Sequence, residues 1–178
     1  SRLSTDAVNA LVQDHNGNLW VGTNKGIKVI YDGYKAFQNG GNGEYAPVSC
    51  SNITISNGEF SEYLMAYESI TAIAVDGANR KWVGTANGGL YLISANGLEQ
   101  LEHFTVANSP LFSDKIVALG INERTGEVYV GTDRGLQVYR GTATYAVSSP
   151  LEKVYAFPNP VKPDYDGPIA IKGFTRNG

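Results

Sequence analysis

The chain has 178 residues, a formal net charge of −3, 17% charged residues, 21 glycines and 11 tyrosines. A length of this order holds one domain, or one domain and a fragment. Gly and Tyr with few charges suit turns and half-buried strands, which argues against a helical bundle or coiled coil. The acidic balance argues against a general nucleic-acid binder, and no apolar run is long enough to span a membrane as a helix.

The chain opens on Ser1-Arg2-Leu3, already inside a structured pattern and without a signal peptide, and it reads as a piece of something longer. Next comes an apolar segment, Val8-Asn9-Ala10-Leu11-Val12-Gln13, expected to be a strand buried on both faces. A tight turn at Asp14-His15-Asn16-Gly17-Asn18 returns the chain into Trp20-Val21-Gly22-Thr23. A second turn, Asn24-Lys25-Gly26, starts a third strand at Ile27, and a fourth is expected after Asp32-Gly33. The interval Tyr31 to Glu68 carries extra residues. Its alternating run Val48–Ile55 is expected to be an embellished outer strand or an inserted hairpin.

The pattern then repeats. Ile70–Val75, the turn Asp76-Gly77-Ala78-Asn79, Trp82-Val83-Gly84-Thr85, Asn87-Gly88-Gly89 and Leu90 reproduce the first unit, with a fourth strand expected after Asn96-Gly97. Ile116–Ile121, Asn122–Gly126, Tyr129-Val130-Gly131-Thr132, Asp133-Arg134-Gly135 and Leu136 reproduce it again, with a fourth strand expected after Gly141. The lead-in repeats too, as Leu3-Ser4-Thr5-Asp6 and Leu111-Phe112-Ser113-Asp114. Trp82 and Tyr129 lie about 47 residues apart, within the ~40–50 of known propeller repeats. Four antiparallel strands per unit make a propeller blade. The expectation is therefore an all-β partial β-propeller of about three four-stranded blades in residues 1–150. The repeats lie near 3–37, 65–104 and 111–145, with the embellishment at 38–64. Residues 151–178 carry Pro158, Pro160, Pro163 and Pro168 and read as a linker and the truncated opening of a C-terminal β-sandwich.

Candidate sites follow from the repeat. Trp20, Gly22, Trp82, Gly84, Tyr129 and Gly131 share one repeated strand position each and read as inter-blade core rather than a sugar-stacking platform. Asn24, Lys25, Asn87, Asp133 and Arg134 sit in equivalent turns expected to converge on one channel mouth. There Lys25 and Arg134 can meet an anionic glycan through charge-assisted hydrogen bonds. The aromatics Tyr31, Tyr34, Tyr45, Phe60, Tyr63 and Tyr67 gather in the embellished interval and read as outer-strand packing. Asp14, Asn16 and Asn18 begin like a calcium loop but lack its later ligands, so they read as an Asx turn. Asn52-Ile53-Thr54 is a glycosylation-type triplet set in a predicted strand. His15 falls in a turn and His103 on an outer strand, without convergent zinc ligands. Cys50 cannot build a disulfide framework alone and reads as a small strand residue. No nucleophile motif, phosphate loop or metal constellation is present, so the expectation is a protein that is not an enzyme and needs no cofactor.

The stretch from Asp76-Gly77 through Trp82-Val83-Gly84-Thr85 to Gly89-Leu90, with its lead-in Phe104–Leu111, resembles the two-component-regulator propeller repeat. That resemblance implies a six- to eight-bladed parent propeller at the periplasm, outer membrane or cell surface. Many such propellers are sensor halves of hybrid histidine kinases that respond to glycans. More finely, Val75–Thr85 resembles the last blades of PorZ-type propeller proteins of the type IX secretion system. Tyr155-Ala156-Phe157-Pro158-Asn159-Pro160 is similar to the opening of their sorting domain. This implies a non-catalytic scaffold binding envelope glycan or lipopolysaccharide and a secretion partner. The competing implication is a periplasmic ligand-sensing propeller of a hybrid two-component kinase. Three blades leave two apolar blade faces uncovered, so these are expected to be covered by self-association with another copy of the chain or by a missing N-terminal segment of the same protein.

Overall fold

A computed structural model describes residues 7–33, 49–56, 61–144, 155–157 and 170–172. The chain divides into two compact units, Ser1–Tyr145 and Ala146–Gly178. The described residues contain strands and turns and no α-helix.

In the first unit, β1 (Val8–Gln13), β2 (Leu19–Thr23), β3 (Gly26–Ile30) and the short β4 (Ser51–Asn52) form one antiparallel sheet in that order. A separate hairpin joins β5 (Thr54–Ser56) to β6 (Ser61–Tyr63). The second sheet is β7 (Ile70–Val75), β8 (Lys81–Thr85), β9 (Leu90–Ile93) and β10 (Gln100–Phe104). The third is β11 (Ile116–Asn122), β12 (Glu127–Thr132) and β13 (Gly135–Arg140). These are three consecutive blades of a partial propeller. In the second unit β14 (Tyr155–Phe157) pairs antiparallel with β15 (Ala170–Lys172). The rest of the sandwich expected at 151–178 lies outside the described residues.

Two expectations need correction, and one is not tested by the described residues. The first blade takes its outer strand from Ser51–Asn52, within the embellished interval, and that interval also supplies the β5–β6 hairpin. The alternating run thus serves as both outer strand and hairpin. The third blade has three strands among the described residues, and the residues that would follow Gly141 into a fourth lie outside them. The opening strands are not buried on both faces either. β1 is largely exposed and β11 is mixed, while β8 and β9 are buried throughout. The reason is position: each opening strand is an edge strand of its sheet, with one hydrogen-bonded neighbour, whereas β8 is covered on both faces.

The register is the same in all three blades. Gly22 lies opposite Ala10 and Ile27, Gly84 opposite Ala72 and Leu90, and Gly131 opposite Ala118 and Leu136. Each opening strand carries a bulge after its first paired residue, between Val8 and Ala10, Ile70 and Ala72, and Ile116 and Ala118. Because side chains alternate, one face of each sheet carries Trp20, Ile27 and Val29, or Trp82, Leu90 and Leu92. That face packs on the opposite face of the next blade. Trp20, Ile27 and Val29 join Ile70, Val83, Tyr91 and Ile93 in one core; Trp82, Leu90 and Leu92 join Ile116, Val128 and Val130 in a second.

Glycine makes that approach possible. A Cβ on Gly22 would lie 2.6 Å from Ile70 Cγ2, and one on Gly84 2.5 Å from Ile116 Cγ2. The first residue of the opening strand of the second and of the third blade is therefore seated on the glycine of the blade before. Trp20 lies over Gly97 in the same way, 2.8 Å from where a Cβ would be.

Candidate functional site: two ends of the blades

Each blade has two turn-bearing ends, and the residues singled out by the repeat divide between them. At one end lie the β2–β3, β8–β9 and β12–β13 turns with the lead-ins to the opening strands. Asn24 N donates to Ala7 O, Ala86 N to Ser69 O and Asp133 N to Lys115 O, tying each turn to its own lead-in. Gly26 N donates to Glu68 O and Gly89 N to Asp114 O, tying each to the next blade's lead-in. Within each turn the motif threonine is the organiser. Thr23, Thr85 and Thr132 Oγ1 donate to the carbonyls of Gly26, Gly89 and Gly135 and accept from Lys25, Gly88 and Arg134 backbone N–H groups. The repeated threonine was legible in the sequence; its role as a turn organiser was not.

Asn24, Lys25, Asn87, Asp133 and Arg134 are all exposed on this end. They share it with Glu68, Asp114 and the exposed Lys115, giving a rim of mixed charge. Such a rim offers charge-assisted donors to an anion only where a cation is not answered by a neighbouring carboxylate.

At the opposite end, direct contacts cross between blades. His15 N donates to Asn79 Oδ1 at 3.0 Å, and His15 Nε2 lies 3.8 Å from Glu123 Oε1, so the first-turn residues of all three blades meet there. Asp14 organises this end. Its Oδ1 accepts from Asn16 and Asn18 N–H at 2.9 Å each, and its Oδ2 accepts from the Trp20 indole at 2.9 Å and Lys81 Nζ at 3.2 Å. This is an Asx turn whose carboxylate also anchors the core tryptophan. Asp76 repeats it with Ala78 and Arg80 N–H, the Trp82 indole at 3.3 Å and Arg80 Nε at 2.8 Å.

Lys81 is fully buried, yet the repeat aligns it with Leu19 and Val128. Its ammonium donates to Asp14 of the first blade and to the carbonyls of Asn79 and Ala95, and lies 4.3 Å from the Trp20 ring centroid. Burial lowers its pKa, opposed by the Asp14 carboxylate. Burial would raise that of Asp14, but the hydrogen bonds from Trp20, Asn18 and Lys81 outweigh it and hold the carboxyl below its ordinary value. Sequence reasoning missed this inter-blade ion pair. The signal was a lone charge at a strand position that is apolar in the other two copies.

The aromatic candidates separate. Trp20 and Trp82 are buried as expected, and Trp82 stacks 6.0 Å from Phe104. Tyr129 is half-buried, and the inter-blade role expected for Tyr129 and Gly131 is not tested by the described residues, which include no following blade. With Asn122 in place of the anchoring aspartate, the Tyr129 hydroxyl donates to Glu127. Tyr31, Tyr63 and Tyr67 are exposed, not packed on an outer strand. Tyr63 and Tyr67 flank a groove of about 220 Å³ floored by Leu64, Tyr91 and Ile93. Tyr34, Tyr45 and Phe60 lie outside the described residues. A second, apolar cavity of about 280 Å³ lies between Phe104, Leu111, Val130 and Tyr139.

The family model described as two component regulator propeller matches residues 2–25, the first opening strand, its turn and the Trp20 strand. The chain carries a two-component regulator propeller repeat. Over 94% of its length this repeat protein is 32% identical to PorZ, an essential surface component of the type IX secretion system of Porphyromonas gingivalis, with a TM-score of 0.72. It spans 22% of that protein's chain. The extracellular domain of a one-component system from B. thetaiotaomicron is 18% identical over 78% of the chain, with a TM-score of 0.52, a likeness of fold alone. A search of curated proteins finds no match.

Proposed function

We propose that these blades are part of a PorZ-like propeller at the cell envelope, acting without catalysis as a binding and scaffolding module of a type IX secretion apparatus. The observation that carries the reading is the identity of 32% with PorZ across 94% of the chain, second unit included. The end carrying Asn24, Lys25, Asn87, Asp133 and Arg134 is the face proposed to meet an anionic envelope glycan such as lipopolysaccharide, with a protein partner of the secretion machinery. The test is titration of the protein with purified anionic lipopolysaccharide and with a neutral polysaccharide, alongside surface proteolysis of intact cells. Binding to the anionic glycan alone, weakened about tenfold by Lys25→Glu with Arg134→Glu, supports the reading. No saturable binding removes the glycan, and a cytoplasmic location removes the envelope role.

The family match at residues 2–25 favours a second reading, the ligand-sensing propeller of a hybrid two-component kinase. A kinase core encoded in the same polypeptide would select it over the scaffold.

A further inference from the structure

The embellished interval ends at a groove that the blade repeat does not explain. The turn from Leu64 to Glu68 is clamped onto the first blade. Leu64 N donates to Ile53 O at 2.8 Å, Gly26 N donates to Glu68 O at 2.9 Å, and the Leu64 side chain is buried. Met65 holds a φ of 54°, in the left-handed region that a long side chain rarely adopts, and the Leu64 and Met65 carbonyls fill the space a Cβ on Gly26 would need. The clamp fixes what the turn presents. Tyr67 is 92% and Tyr63 54% exposed, and both line the groove of about 220 Å³ together with Tyr91, Glu62, Glu68 and Gln100. The Tyr91 ring is stacked 3.9 Å from His103, and its hydroxyl lies 3.5 Å from Glu68 Oε1. No Lys or Arg lines the groove, and among the described residues neither carboxylate is in an ion pair. The next blade shows what an ordinary lead-in does. Asp114 O accepts from Gly89 N as Glu68 O does from Gly26 N, but the Asp114 carboxylate also caps Val106 N–H at 2.7 Å. The Glu68 carboxylate caps no backbone N–H among the described residues. The cavity between the second and third blades has no charged residue in its lining, so the acidic, tyrosine-lined character belongs to the embellishment and not to the repeat.

We propose that this groove binds an organic ammonium group, quaternary or primary, with Tyr63, Tyr67 and Tyr91 against its alkyl part and Glu62 and Glu68 answering its charge. Carboxylates unaccompanied by a cation repel an anion and attract a cation. Tyrosine rings attract a cation through their faces and bury its methyl or methylene groups. At about 220 Å³ the groove is smaller than the ~300–1,000 Å³ pockets of drug-sized ligands, so it takes a head group or the end of a side chain. The proposal is independent of the anionic-glycan reading, which uses Lys25 and Arg134.

Titration of the full chain, followed by NMR, tests it with three probes: choline, its neutral isostere in which a tert-butyl group replaces the trimethylammonium, and Nα-acetyl-lysine amide as the primary amine. Saturable binding of choline about tenfold tighter than of the isostere is expected. The lysine amide binding more tightly than choline assigns the group to a protein side chain, and the reverse assigns it to a free or lipid-borne head group; either supports the proposal. Tyr67→Ala, at an exposed ring, should weaken binding about fivefold with melting unchanged. Glu62→Gln with Glu68→Gln should bring choline and the isostere within about twofold of each other, which loss of a merely structural role would not do. Equal binding of choline and its isostere overturns the proposal, as does the absence of saturable binding by either amine. Binding that all these variants leave unchanged overturns it too, and so does a methyl glucoside that binds in preference to both amines.

Discussion

The second and third blades carry the same strand pattern and meet different fates. The Trp82 face of the second blade is sealed by Ile116, Val128 and Val130, and Trp82 is 1% exposed. The Tyr129 face of the third has the same register and the same glycine, yet Leu136 and Val138 stand in solvent. The comparison teaches that the blade motif encodes readiness to be covered, and that burial itself comes from the neighbour. A propeller core is made between sheets.

The largest way to break the comparison is at the sealed face. Trp82→Ala should cost about 3–5 kcal/mol in denaturant unfolding, while Tyr129→Ala should cost about 1 kcal/mol or less in dilute protein. Equal losses would mean that the two faces are equally covered. Next comes the buried charge. Lys81→Met leaves Asp14 with its four other donors, the Asn16 and Asn18 backbone N–H groups, the Asn18 side-chain amide and the Trp20 indole, but removes its cation, and a loss of about 3 kcal/mol is expected at neutral pH.

The same pair predicts two pH limbs with known signs. The Asp14 carboxyl is held below 3.8, so its stabilisation is present above that value and is lost as pH falls through the lower folded one. Lys81 is held below 10.5, so the folded state binds its proton less tightly than the unfolded chain, and stability rises as pH climbs through that window. Lys81→Met should abolish the alkaline rise and Asp14→Asn should flatten the acid fall. Unchanged limbs in both variants would place the titration elsewhere.

The smallest effect sharpens the comparison best. Gly84→Val puts a Cβ 2.5 Å from Ile116 and should cost about 1–3 kcal/mol. Gly131→Val should stay within about 0.5 kcal/mol in dilute protein, because among the described residues a Cβ there meets only Ala118, at an ordinary contact distance of 3.4 Å or more. Thermal melts of the two variants side by side decide it, and a loss at Gly131 matching that at Gly84 would show the third face already occupied.

The strands, their turns and the blade register were legible from sequence because each rests on local chemistry. Alternation sets the face, Asx and Gly residues set the turns, and a repeated motif sets the register three times over. Trp20 and Trp82 were legible as core for the same reason. The outer strand of the first blade was not. Ser51–Asn52 and Thr54–Ser56 are one continuous alternating run, and only pairing with β3 or with β6 tells them apart. Nor was the Asp14–Lys81 bridge, whose partners lie 67 residues apart in neighbouring blades. Sequence by itself therefore determined what each blade is, since that depends on hydrogen bonds and side-chain alternation within some 45 residues. Tertiary structure alone decided which faces are buried, which charge is paired and which glycine is filled, because those depend on the shape and chemistry of the adjoining sheet.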